Sequence, residues 1–421
     1  LVDRGRQDGV AYAFGKAFET WLNKNQPFAD KAQRWQVMFL PTARNELLPK
    51  LLAGEGDLAA GGLTITEGRQ QTVDFSDPGA SEINEVIVSA PGSAKIQRLE
   101  DLAGREVYVR ASSSYFEHLV ALNERFKAQG LAPVKIMPAN ENLETEDLLQ
   151  MVNAGLYGMT VADQHIAQLW QSLYTDMQIQ AGVYLHQGGK LSWALRKSSP
   201  QFQQVLSAFV KEHKIGSEFG NISMRRFKNN KRVLNATSQA EMAKFKALVG
   251  VFQKHAGTYD FDHLMLMAQG FQESQLNQAA RSRAGAVGVM QLLPSTAADP
   301  AVGIKGIDTS VDKNIEAGSK YMRLLADKYL DDPELTPVNR TLMSFAAYNA
   351  GPGNLMKFRR LAEKSGLDPN VWFGNVEQAA ARIVGRETVD YVGNIYKYYV
   401  VYKLAEQKLR ERAKASQQPG S

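Results

Sequence analysis

The chain has 421 residues, a formal net charge of +5 and 44% hydrophobic residues. This is enough for two or three domains with their own cores, and too apolar for wholesale disorder. It contains no cysteine, which excludes a disulfide framework, a Cys-ligated zinc and a thiol nucleophile.

The first half alternates helix-like and strand-like stretches. Residues 9–23 read as a helix, with Phe14, Phe18 and Leu22 four apart. Residues 35–40 read as a strand, 45–54 as a short helix ending at glycine, and 57–66 as an apolar, Gly-rich strand and turn. Strands follow at 84–89, 106–110, 134–137 and 160–162, with helices at 114–130, 145–153 and 163–172 between and after them. The alternation predicts an α/β fold with a mainly parallel sheet. Beyond Ser198 the pattern is helical throughout: 200–213, then 238–252 with Met242, Phe245, Leu248, Val249 and Phe252 on one face. Residues 260–269 form an amphipathic helix, and Glu273 follows near its C-terminal end. The polar break at 229–232 places a domain boundary near 234–238. The basic stretch 403–414 reads as a solvated helix end, or as a contact for anionic lipid or glycan.

A glutamate near a helix C-terminus sits against the negative end of the helix dipole. Partial burial acts in the same direction and keeps a carboxyl group protonated near neutral pH, as a general acid requires. Around it run Ala268-Gln-Gly-Phe-Gln-Glu273-Ser274, then Ser282-Arg-Ala-Gly285-Ala-Val-Gly288-Val-Met290-Gln291, Ala347-Tyr348-Asn349-Ala350-Gly351, and Glu387-Thr388-Val389-Asp390-Tyr391-Val392. In this order and at this spacing the blocks resemble the lytic transglycosylases of the goose-lysozyme-like superfamily, which cut peptidoglycan glycan strands. The resemblance implies that Glu273 is the sole catalytic acid/base. It would cleave the N-acetylmuramic acid–N-acetylglucosamine β-1,4 bond without water and leave a 1,6-anhydro end. Ser282, Met290, Gln291, Tyr348, Asn349, Glu387 and Tyr391 would contact or support the substrate, with Gly285 and Gly288 letting the loop approach the glycan. A hydrolytic muramidase stays open if Asp299, Asp308 or Asp312 faces Glu273 as a second carboxylate.

In the first half, Gly54-Glu-Gly-Asp57-Leu58, Leu63-Thr64-Ile65-Thr66-Glu-Gly-Arg69, Val73-Asp74-Phe75-Ser76, Val109-Arg110-Ala-Ser112-Ser113-Ser114 and Ala162-Asp163 resemble the amino-acid-type periplasmic solute-binding proteins. Arg69 is suited to grip a carboxylate through two parallel bonds. Ser112, Ser113 and Ser114 either favour an anion at a strand-to-helix turn or cap the helix that follows. Asp163 either faces an ammonium or caps its own helix; Thr64 completes the expected ligand set. The family's first strand is not found ahead of the opening loop, so its share of the ligand site is not read here.

The fusion as a whole resembles the membrane-bound lytic murein transglycosylase F family. It implies a multidomain protein: an α/β, two-lobed, periplasmic-binding-protein-like domain over 1–235 (lobes about 1–88 plus 190–235, and 89–189), then an all-α lysozyme-like domain over 236–421. The expected partners are peptidoglycan strands and, in the first domain, a muropeptide, peptide or amino acid that regulates access to Glu273. The expected location is the periplasm, peripheral to or anchored at the outer membrane. A binding protein that holds glycan without turnover is the alternative of another class. Six scattered histidines, with no His-Glu-x-x-His run or calcium loop, predict no metal and no other cofactor. No apolar run reaches the roughly 18 residues that cross a bilayer, and no signal peptide is read. A pI near 9.0 suits a polyanion. No basic run is interleaved with aromatics, so nucleic acid is not an expected partner.

Overall fold

The computed structural model describes residues 2–3, 6–7, 10–40, 42–213 and 239–417. The chain divides into two compact units, Asp8–Val233 and Leu234–Ser421, with Val2–Gln7 counted with the second. The boundary expected near 234–238 and the side chains of the basic tail beyond 410 lie outside the described residues. The first seven residues hold a minimal hairpin, β1 (Val2–Asp3) against β2 (Arg6–Gln7).

The first unit is built on β3 (Leu58–Thr64), β4 (Val73–Phe75), β5 (Ala80–Ser89), β6 (Glu106–Val109), β7 (Lys135–Pro138), β8 (Met159–Asp163) and β9 (Gln178–Arg196). Their order is β3-β9-β5-β8-β6-β7, with β4 also pairing β9. The expectation of a mainly parallel sheet is corrected. Only β6–β7 and β6–β8 are parallel; β3–β9, β4–β9, β5–β8 and β5–β9 are antiparallel. The cause is β9, a 19-residue strand that the alternation did not reveal. Gly182 and Gly188, both at positive φ, interrupt its β-branched pattern. Its first part pairs with β5 and its last residues pair with β3 and β4.

Among the described residues seven α-helices surround this sheet: α1 (Val10–Asn25), α2 (Leu47–Leu52), α3 (Glu67–Thr72), α4 (Ser114–Ala128), α5 (Thr145–Asn153), α6 (Gln164–Gln171) and α7 (Pro200–His213). Helix α4 buries Leu119, Leu122 and Phe126 against Val107, Val109 and Val161. Helices α1 and α7 bury Phe18, Leu22, Leu206 and Phe209 against Leu195. A further cluster joins Leu51, Ala59, Leu63, Val73 and Phe75. The strand expected at 35–40 is not one. Side chains of α1 take its backbone donors: Asn23 Oδ1 accepts from the N–H of Trp35 at 2.9 Å and Glu19 Oε2 from that of Val37 at 2.8 Å.

Among the described residues the second unit is helical apart from the β1–β2 hairpin: α8 (Gln239–Tyr259), α9 (His263–Ser274), α10 (Pro294–Ala298), α11 (Val311–Tyr329), α12 (Pro337–Ala350), α13 (Pro352–Lys364), α14 (Glu377–Ile383) and α15 (Arg386–Gln417). Every residue of α9 from Leu264 to Phe271 is buried, because α8 and α15 pack against it. Phe271 meets Tyr398 edge-on at 4.7 Å, and Phe245 lies 4.9 Å from Tyr402. Such ring pairs stabilise beyond the area that they bury. Asp262 caps the start of α9 by accepting from the N–H groups of Leu264 and Met265.

Candidate active site

Helix α9 runs five residues further than the amphipathic pattern indicated, so Glu273 stands inside its last turn rather than after it. Two left-handed residues, Gln275 and Leu276, then turn the chain sharply away. The Glu273 carboxyl is pushed up to about 7 by burial, against a smaller opposing effect of the Tyr391 hydroxyl. That hydroxyl donates to Oε1 at 2.6 Å. Tyr391 comes from the second turn of α15 and is itself buried. Its own titration is driven well above the usual phenol range, first by burial and then by the Glu273 charge.

The loop between α9 and α10 is held from both sides. Ser274 Oγ donates to the carbonyl of Val289 at 2.8 Å. Gly270 provides the close approach: a Cβ there would meet Val289 Cγ1 at 3.0 Å. From α11, the fully buried Asn314 donates to the carbonyls of Val287 (2.9 Å) and Ile307 (3.0 Å) and accepts from the N–H of Met290 (2.8 Å). A Cβ on Gly288 would lie 2.2 Å from Asn314 Nδ2, and Gly288 has φ +79°. Gly288 is therefore required for the close approach of this chain's own Asn314. Gly285, also at positive φ, has open space around it. Asn314 went unread in the sequence. Its signal was an amide four residues before Gly318, on the helix face that also buries Ile315.

Tyr348 does not bond Glu273. Its hydroxyl donates to the carbonyl of Met290 at 2.7 Å, and its ring meets Tyr321 edge-on at 5.4 Å. Glu273 nevertheless helps to raise Tyr348 above the ordinary phenol range, after burial as the main cause. Tyr348 thus lies within the carboxylate's field while it fastens the loop. The expectation of a substrate contact from the Met290 side chain is corrected: it is fully buried against Gly318, where a Cβ would meet Met290 Cβ at 2.8 Å. Gln291 donates to the carbonyls of Gly288 and Ala280. Ser282 is exposed, and its Oγ accepts from the N–H of Ala286 at 3.0 Å. Asn349 is exposed too, and its Oδ1 accepts from Thr388 Oγ1 at 2.7 Å. Glu387 is exposed in the first turn of α15, and none of the bonds given to Glu273 comes from it. In that block Thr388 and Tyr391 make the connections.

None of the three candidate second carboxylates acts on the Glu273 titration. Asp312 is paired with Lys254 and His255, Asp299 accepts from the N–H of Ala301, and Asp308 is exposed. Glu377 is also raised to about 7 by burial and accepts from the N–H of Gly374. A raised carboxyl alone therefore does not mark a general acid; Glu273 differs from Glu377 in the phenol aimed at it and the pinned loop beside it. Among the described residues no three His, Asp, Glu or Cys side chains form a metal-binding group.

In the first unit, the groups expected to hold a ligand carboxylate already hold the chain's own. Arg69, buried, donates through Nε to Glu117 Oε1 at 2.8 Å, and through Nη1 and Nη2 to the carbonyls of Thr64 and Ser112. The two-bond grip expected of Arg69 is thus occupied. Ser112 presents its N–H and Oγ to the two oxygens of Glu141 at 3.1 and 2.6 Å. Ser113 caps α4 through the N–H of Phe116. Ser114 donates to Glu85 Oε1 at 2.9 Å, and its Oγ lies 3.2 Å from Thr64 Oγ1. Asp163 makes no capping bond to α6; it accepts from Tyr115 at 3.1 Å. Burial, then the nearby Glu85 charge, lift Asp163 to about 6. Glu85, almost wholly buried, was not singled out in the sequence, where it stands beside Glu82 and Asn84 in a strand of mixed polarity.

Comparison with known proteins agrees with both halves. Residues 8–229 match the bacterial extracellular solute-binding proteins, family 3, and residues 250–369 match the transglycosylase SLT domain. Similar curated proteins include a membrane-bound lytic murein transglycosylase F of Desulfosudis oleivorans, 28% identical over 94% of this chain and 85% of its own. One of the same name from Idiomarina loihiensis is 26% identical over 97% of this chain and 88% of its own. Among solved structures, an ancestral arginine-binding protein bound to arginine is 23% identical, with a TM-score of 0.42 over 54% of this chain and 91% of that one. The chain belongs to the family 3 solute-binding proteins, here joined to a transglycosylase SLT domain, and over most of its length it is similar to membrane-bound lytic murein transglycosylases F.

Proposed function

We propose that this protein is a peptidoglycan lytic transglycosylase with Glu273 as its one acid/base, working in cell-wall remodelling. The observation that carries the reading is the Glu273 carboxyl, held near 7 by burial and met by the Tyr391 hydroxyl. A group with that affinity for its proton is protonated before the reaction and a competent base after it.

Glu273 donates its proton to the glycosidic oxygen between N-acetylmuramic acid and N-acetylglucosamine as the C1–O bond breaks. The C6 hydroxyl of the same muramic acid bonds to C1, and its proton returns to the Glu273 carboxylate. The product is a 1,6-anhydro end; no water is consumed and the enzyme regains its starting form. One carboxyl group suffices for this cycle, whereas hydrolysis uses a second as nucleophile or base. Gln291, Asn349 and Ser282 are the groups proposed to contact the sugars, while Tyr348 and the backbone of Met290 hold the loop.

The domain over 1–235 is proposed to bind a muropeptide, peptide or amino acid and to regulate the domain over 236–421. Its lobes would be about 1–88 plus 190–235, and 89–189, hinged at β5 and β9. Such regulation requires the ligand to bind two states unequally; a ligand that binds without changing turnover would end that part of the reading. Periplasmic, membrane-associated location belongs to the same proposal, and among the described residues no helix is long and apolar enough to cross a membrane.

Digestion of peptidoglycan in water enriched in oxygen-18 tests the reaction class. New muramic ends free of the label are the expected product. One labelled oxygen in each new end would instead mean hydrolysis.

A further inference from the structure

Gln269 lies one turn before Glu273 on α9 and is fully buried among apolar neighbours. Its Nε2 donates to the Tyr391 hydroxyl at 3.3 Å, and that hydroxyl donates to Glu273 Oε1 at 2.6 Å. Its own Oε1 is buried and finds no partner among the described residues. Burying an amide with half its capacity unused is costly, and an apolar residue of the same size would avoid that cost. The one bond that the amide makes leads to the acid. We propose that Gln269 is a positioning residue for the transglycosylase reaction, acting through Tyr391 to fix which oxygen of Glu273 carries the transferable proton.

A phenol has one O–H to give and accepts through its oxygen. With the Gln269 N–H on the acceptor side of Tyr391, the phenol proton is directed to Glu273 Oε1. Oε1 is then the accepting oxygen, and the acid proton resides on Oε2, which is left for the glycosidic oxygen. The same amide polarises the phenol and strengthens its bond to the ionised Glu273. Among the described residues Tyr391 is the only hydrogen-bonding side chain that acts on the Glu273 titration, so losing Gln269 loosens that polar constraint on the acid.

This inference rests on the reading of Glu273 as the acid. It is tested with Gln269→Leu in the full chain, alone and combined with Tyr391→Phe. Two readouts are used: turnover of peptidoglycan across pH, and titration of the Glu273 carboxyl carbon by 13C NMR, its signal assigned with Glu273→Gln. The expected result for Gln269→Leu is an unchanged KM and kcat lower by about fivefold. The Glu273 titration should move upward by about half a pH unit. In the Tyr391→Phe background the same substitution should change neither quantity. An equal loss in both backgrounds, or an unmoved carboxyl titration, would overturn the proposal and leave Gln269 a packing residue. If the wild type makes no product while the titration still moves as stated, the assigned activity fails and the positioning contact stands.

Discussion

Glu273→Gln keeps the size of the side chain and an acceptor for Tyr391, and removes the proton that titrates. The folded carboxyl sits at about 7 against the usual 4.5. Its burial therefore contributes relative stability that is fully present below about pH 4.5 and lost as pH rises through 7. A shift of that size corresponds to about 3 kcal/mol, an upper figure because Glu273 retains some solvent contact. The variant should match wild type near pH 4 and become the more stable protein by pH 8. For a unit of this size that is a gain of up to roughly 6–12 °C in the transition of the second unit. Calorimetry of the full chain from pH 4 to 8 measures it, and the transition that moves in the variant identifies that unit. A difference in melting temperature that stays constant with pH would refute the reasoning, because an acid held by burial must destabilise its own ionised form.

Peptidoglycan turnover should be flat on the acid side and fall about tenfold per pH unit above roughly 7, as the general acid loses its proton; a limb near 4.5 in a pH–rate series would contradict the assignment. Gly288→Ala should cost at least about 2 kcal/mol by urea denaturation, since φ +79° disfavours alanine and the new Cβ meets Asn314. In the first unit, Glu117→Gln should free Arg69 and tighten, by about tenfold, any L-amino acid that the wild type binds. Unchanged affinity in titration calorimetry would place the ligand carboxylate elsewhere.

The surroundings of Glu273 were legible because their signals are local. A glutamate after an apolar face, a Gly-rich loop and a distant Tyr-Val block lie in order along the chain, and the structure joins Glu273 to Tyr391 as one unit. What failed to show was whatever depends on partners far apart in sequence. Asn314 gains its meaning only when α11 meets the loop at Met290. Met290 reads equally as a groove or a core residue until Gly318 is found beneath it. The strand expected at 35–40 has a β-prone sequence, yet Asn23 and Glu19 claim its backbone donors. Strand β9 hides behind its glycines, and with it the antiparallel character of the sheet. Arg69 and Ser112 were read as groups for a ligand's carboxylate or anion; that Glu117 and Glu141 of this chain meet them could not be inferred from residues so distant.

The central claim is that one glutamate performs non-hydrolytic cleavage of peptidoglycan. Its most direct test is digestion of purified sacculi by wild type and Glu273→Ala, with the released muropeptides identified by mass spectrometry. The account predicts 1,6-anhydro-muropeptides from the wild type and none from the variant. Anhydro products from both proteins would contradict it, because another group would then be moving the proton.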